Sequence, residues 1–200
     1  MTHARIDAAT LSGRRAYQLL IDTIVPRPIA WVTTMSPDGV PNLAPFSFFT
    51  GVTARPPTLA LSISQRSERG ADGARALRDK HTVANLRASG ELIVHIPSRR
   101  HRDQVVASGE ALPADPQELV ALGFSDIQPG TWVDVPRLGE AAVAMECRVE
   151  QIVPVGEPPV SLVLARVLGW HVREDLLVDG RIPAAGIDPL ARLGVDGYQE

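Results

Sequence analysis

Prolines at positions 41 and 45 constrain this chain more than any other pair of residues. They fall within residues 26–64, where the β-branched and aromatic run Ile29, Trp31, Val32, Thr33 and Thr34 predicts a strand over 29–35, and Asp38-Gly39 supplies the tight reversal of a hairpin. The returning arm, read as a strand over 42–50, holds two residues without an N–H, and a proline inside a central strand breaks its ladder. That arm is therefore predicted to be an edge or bent strand with backbone groups left free. Ser and Thr hydroxyls beside it suit a polar ligand. A further strand is expected over 58–64.

Composition narrows the class. Hydrophobic residues are 44% of the chain and charged residues 22%, which is ordinary globular usage and argues against disorder throughout. Two hundred residues fit one domain over 1–200, with 1–14 as a loose N-terminal arm and 65–79 as a polar, flexible loop. The formal charge of −3 argues against a generic nucleic-acid binder, which would usually show a basic face, and the Arg99, Arg100, His101, Arg102 cluster reads as a solvated loop or helix face. Cys147 is the only cysteine, so neither an internal disulfide nor a cysteine-based zinc site can form within one chain. The five histidines show no metal-binding spacing, and no metal is expected. Neither a secretory leader nor a membrane-length apolar run is present, so a soluble, cytoplasmic protein is expected.

The remaining pattern is β-rich. Short helices are expected over 16–21, with Tyr17, Leu20 and Ile21 on one side, and after Thr82, which reads as a cap, with Gly90 as the stop. Two more are expected over 98–109 and 117–122. Residues 91–96 read as a buried strand, and 141–153 and 161–172 as an antiparallel pair turning at 156–159. Many strands without regular strand-helix alternation argue for an antiparallel barrel with a few short helices.

Five segments, taken in order, resemble the flavin reductase-like family. They are Pro26-Arg27-Pro28-Ile29-Ala30 leading to Val32-Thr33-Thr34; Asn42-Leu43-Ala44-Pro45-Phe46-Ser47-Phe48-Phe49; Lys80-His81-Thr82 with Asn85; Met145-Glu146-Cys147-Arg148-Val149 with Gly169-Trp170-His171-Val172; and Arg192-Leu193-Gly194 with Tyr198. The resemblance implies a mainly β fold, the FMN-binding split β-barrel, a Greek-key antiparallel barrel that usually forms a homodimer. It also implies an NAD(P)H:flavin reductase, in which NADH or NADPH passes a hydride to FMN and electrons go on to a partner monooxygenase or another acceptor. A non-catalytic FMN-binding protein and a pyridoxamine-phosphate-oxidase-like enzyme use the same pocket and stay open as alternatives.

A flavin mononucleotide asks the protein for a phosphate cradle, polar contacts to the ring edge and one open ring face. On this reading Lys80 and Thr82 hold the phosphate at a helix start, with Ser62, Ser64 and Arg27 nearby. The ring lies along Thr33, Thr34 and the bend Asn42, Ala44, Pro45, Phe46 and Ser47, whose free N–H groups face it. At least two of Phe46, Phe48 and Phe49, and Trp31, are expected in the core instead. Arg192 approaches the flavin or the donor. No catalytic base is required, and His171 reads better as a hydrogen-bonded structural residue than as an acid. Two positions depart from the family pattern: His81 stands where the family has Asp, and Val195 replaces a glycine.

Overall fold

The structure, a computed structural model, describes residues 1–69, 74–110, 113–195 and 197–199. In chain order its elements are α1 (Gly13–Thr23), β1 (Arg27–Pro28), β2 (Ala30–Met35), β3 (Pro41–Phe46), β4 (Phe49–Ala54), β5 (Pro57–Ile63), β6 (Arg66–Arg69), β7 (Arg75–Arg78), α2 (His81–Ser89) and β8 (Glu91–Ile96). There follow α3 (Arg102–Ala107), α4 (Glu118–Ala121), β9 (Ile127–Gln128), β10 (Arg137–Leu138), β11 (Val143–Val155), β12 (Val160–Val172), α5 (Ala184–Ile187), β13 (Ala191–Leu193) and β14 (Gly197–Tyr198).

Seven strands make one antiparallel sheet in the order β3-β2-β8-β11-β12-β5-β4. Its two edge strands, β3 and β4, follow each other in the chain through Ser47 and Phe48 alone. So short a link reaches only about 10 Å, so the sheet must curl until its edges meet. The Ser62 N–H donates to the Phe48 carbonyl at 2.9 Å across that corner. The single strand expected over 42–50 is thus two strands with a corner between them.

The curl gives β2 and β8 an inside and an outside, both covered. Ala30 and Val32 face the barrel interior with Leu92, Val94, Cys147 and Val163. On the opposite side Ile29 and Trp31 join Val105, Leu119, Phe124 and Leu190 beneath the outer helices. Burial on both faces explains why these strands are continuously apolar rather than alternating. Phe46 is buried in the interior cluster and Phe49 packs against it, while Phe48 meets Tyr17 edge-on.

Several expected boundaries move. Helix α1 is longer than 16–21 because Ser12 caps it, accepting from the Arg15 N–H at 3.3 Å. Of the three residues expected on one side, only Ile21 is buried; Tyr17 and Leu20 are exposed. The N-terminal arm carries a 3-10 turn at Ala8–Thr10. The polar stretch 65–79 forms the two-stranded hairpin β6–β7, with Arg66 opposite Arg78; residues 70–73 of that expected loop lie outside the described residues. Thr82 is not the cap of α2. Lys80 holds that position and Thr82 lies inside the first turn, while Gly90 ends the helix at φ 70° as expected.

His95 ties the layers together from a fully buried position. Its Nδ1–H donates to the Trp31 carbonyl at 3.0 Å and its Nε2 accepts the Leu138 N–H at 3.0 Å. Burial, only partly offset by the bond to Trp31 and reinforced by the charge of Arg137, lowers its pKa from 6.5 to about 4. Proton uptake by the unfolded chain is therefore favoured between those values, so His95 stabilises the fold above pH 6.5 and the contribution is lost as pH falls towards 4. His81 and His101 shift in the same direction. Urea unfolding is expected to show a loss of about 3 kcal/mol from this one group across the window, and His95→Gln is expected to flatten the pH dependence there. An unchanged slope in the variant would refute the assignment.

Candidate functional site

The site is built around the outer edge of β3. Residues 42, 44 and 46 direct their N–H groups to β2, so positions 41, 43 and 45 face outward. Two of those three are proline. The third N–H, of Leu43, is taken by Glu118 Oε1 at 3.0 Å from α4. The prolines therefore leave the ladder with β2 intact while removing donors from the exposed edge. This corrects one expectation, because within β3 the edge offers carbonyl acceptors rather than a row of free N–H groups.

Beside this edge lies a cleft lined by Asn42, Ala44, Pro45, Lys80, Thr82 and Glu118, among others. Helix α2 begins here. Its first backbone bond runs from the Ala84 N–H to the Lys80 carbonyl at 3.1 Å, so the N–H groups of His81, Thr82 and Val83 precede the helical ladder. Thr82 Oγ1 accepts from Asn42 Nδ2 at 3.0 Å, which fixes the hydroxyl while leaving its hydrogen to be donated. The Lys80 ammonium lies 5.7 Å from the centroid of the Phe46 ring, and among the described residues no carboxylate pairs with it. Burial pushes its pKa below the usual lysine value. A partly desolvated cation at a helix N-terminus, with no carboxylate partner among the described residues, can receive an anion.

Hairpin β6–β7 supplies the other wall. Arg66 Nη1 donates to His81 Nε2 at 3.0 Å and Arg66 Nη2 pairs with Glu68 at 2.6 Å. Burial and then the Arg66 charge hold His81 below its ordinary pKa, so its acceptor form is the one this contact uses. Burial raises the pKa of Glu118, and the Leu43 N–H offsets that in part.

The structure brings Asn42, Ala44, Pro45, Lys80 and Thr82 together in the cleft, with Phe46 as the ring beneath Lys80. Ser47 and Arg192 line a second hollow that shares Pro45, Gly109 and Glu110 with the first. Other candidates are committed elsewhere. Arg27 is buried, donating to the carbonyls of Ile21, Ile24 and Gly194, and so closes the C-terminus of α1. Thr33 is fully buried and donates to the Pro136 carbonyl at 2.8 Å; Thr34 is equally buried and accepts from Asn85 Nδ2 at 3.0 Å. Ser62 lies on β5 and Ser64 just beyond it, neither on the cleft lining.

His171 is outside the cleft. It bonds the fully buried Glu146 at 2.6 Å, and Glu146 also accepts the N–H groups of Thr131, Trp132 and Val133 at 2.6 to 3.1 Å. Burial alone would raise that carboxyl; the N–H groups and His171 outweigh it and hold its pKa low. Sequence reasoning missed Arg66 and Glu118. Arg66 was one charge among many in a polar stretch, and nothing local marks Glu118.

Residues 22–185 match the family model described as Flavin reductase like domain. An uncharacterized protein of Halalkalibacterium halodurans is 35% identical over 198 residues, spanning 97% of this chain and 90% of the relative. Among solved structures, nitrilotriacetate monooxygenase component B from Bacillus cereus has a TM-score of 0.89 at 30% identity, covering 100% of this chain and 96% of that one. Pseudomonas fluorescens 2-nitrobenzoate 2-nitroreductase has a TM-score of 0.83 at 27% identity, covering 98% and 91% respectively.

The contact from α4 to β3 makes a specific prediction about stability. Glu118→Gln keeps an oxygen for the Leu43 N–H and is expected to unfold close to wild type in urea. Glu118→Ala strands that donor and is expected to lose about 1 to 3 kcal/mol. Equal stability of the two variants would show that the bond does not hold the edge.

Proposed function

The chain belongs to the flavin reductase-like family, and from that premise we propose that it is an FMN-dependent NAD(P)H oxidoreductase, most simply a flavin reductase. The observation that carries the reading is the half-buried Lys80 at the start of α2, without a carboxylate partner among the described residues, beside the Asn42–Thr82 pair. A phosphate monoester has the charge and the acceptor oxygens to satisfy that ammonium, the Thr82 hydroxyl and the first-turn N–H groups together. The residues present fit the group. Lys80 and Thr82 would hold its phosphate, and the β3 edge from Asn42 to Ser47 would flank its ring, with the carbonyls at 41, 43 and 45 as acceptors and Ala44 allowing close approach. When bound, FMN supplies the electron-transfer chemistry, and the protein supplies orientation and charge.

Arg66 adds positive potential at the phosphate end, and its contact with His81 keeps that imidazole from needing a charge of its own. Glu118 fixes the edge that the ring lies against. The reading further takes the chain as one domain in a cytoplasmic homodimer. The Bacillus cereus neighbour is by its title a monooxygenase component, which favours a partner oxygenase as the eventual electron acceptor.

The test is spectroscopic. Purified protein loaded with FMN is expected to lose its oxidised flavin band when NADH or NADPH is added without oxygen. Persistent absorbance would leave a binding protein only, and turnover of pyridoxine 5′-phosphate would point to the related oxidase instead. Replacing Lys80 and Thr82 together by alanine is expected to raise the dissociation constant for FMN about tenfold or more. Wild-type affinity in a folded double variant would refute the phosphate assignment.

A further inference from the structure

The second hollow holds an arrangement that FMN does not account for. Tyr198 has two guanidinium groups against it, Arg192 at 4.7 Å and Arg102 at 5.5 Å from the ring centroid. Both line the hollow, over a floor that includes Ile29 and Val105. Among the described residues Arg102 has one ion-pair partner, Asp103, whose carboxylate is 3.8 Å away and almost fully exposed. Arg192 has no ion-pair partner among the described residues, and its Nη2 donates to the Val195 carbonyl. Glu110 is the only carboxylate on the described lining, so the charge there is net positive.

This hollow is continuous with the cleft rather than separate from it. Their shared wall is Pro45, Gly109 and Glu110. A Cβ at Gly109 would stand 3.2 Å from the Val106 carbonyl oxygen and 3.4 Å from Pro45 Cγ, so the missing side chain lets the end of α3 lie close against β3 and keeps the wall thin. A molecule in one hollow therefore lies next to a molecule in the other.

Two like charges sharing one aromatic ring repel, and contact with the ring offsets this only in part. An anion with two charged centres would relieve the repulsion. Guanidinium forks match phosphate oxygens in particular. We propose that Arg102 and Arg192 clamp the diphosphate of the dinucleotide electron donor in this hollow, with Tyr198 holding the two side chains in place. The inference rests on the reading of the cleft as the flavin site. Because NADH and NADPH share the diphosphate, the clamp strengthens both equally and does not choose between them.

ADP-ribose tests this directly, since it keeps the diphosphate and lacks the nicotinamide. Binding to FMN-loaded protein is measured by calorimetry at two salt concentrations, with AMP and benzoate as comparisons. Wild type is expected to bind ADP-ribose more tightly than AMP, and less tightly as salt rises. Arg192→Gln and Arg102→Gln are each expected to weaken ADP-ribose about tenfold, Arg102→Gln with FMN affinity unchanged, and Arg192→Lys is expected to recover part of the loss. In turnover, both variants are expected to raise KM for NADH and NADPH by the same factor with kcat little changed. Unchanged ADP-ribose affinity in both variants, or a site that takes benzoate and not ADP-ribose, overturns the clamp while the flavin reading stands. Failure of wild type to bind FMN overturns the flavin reading and the clamp with it.

Discussion

A strand that cannot be extended sits at the centre of this structure. Strand β3 gives its bonded positions to β2, keeps proline at two of its three outward positions and has the third tied to Glu118. An edge without donors resists pairing with another strand, so it stays open as a binding surface. The same strand then turns at Ser47 and Phe48 into β4, the opposite edge of the sheet. One stretch of chain thus curls the barrel and forms the lining of its cleft.

Charge withdrawn from water, wholly or in part, is treated in two opposite ways. Glu146 is surrounded by three backbone N–H groups and His171, so it is fully satisfied and fastens the loop at 131–133 to β11 and β12. Lys80 is half-buried, and no carboxylate among the described residues answers it. Stability accounts for the first arrangement, because a buried charge is tolerated when paired. The second leaves the ammonium partly withdrawn from water with no opposite charge beside it among the described residues. That contrast separates a satisfied charge from an unanswered one more clearly than residue type does, since both lie in segments with family resemblance.

Much of the fold was legible in local pattern. The hairpin from β2 to β3, the edge position of β3, the pairing of β11 with β12 and the glycine end of α2 all follow from residues within a few positions of one another. Less of the site was. Thr33 and Thr34 looked like ligand hydroxyls because they end a strand beside the bend. Their neighbours in space, Pro136 and Asn85, use them instead. Arg27 looked like a free charge, but the carbonyls that end α1 and that of Gly194 claim it. Hairpin β6–β7 was hidden because a polar stretch with like charges opposed carries no hydrophobic alternation to reveal it.

The sequence by itself determined the strands β2, β8, β11 and β12, where β3 has no donors and that Lys80 stands at a helix start. These are consequences of covalent structure: a proline has no N–H, and a glycine at C′ can take a positive φ wherever it occurs. Only the tertiary structure decided which polar groups remain available. That depends on partners brought from distant segments, as Glu118 is to Leu43 and Arg66 to His81. Hydrogen bonds and ion pairs act over a few ångströms of space, and distance along the chain does not set distance in the fold.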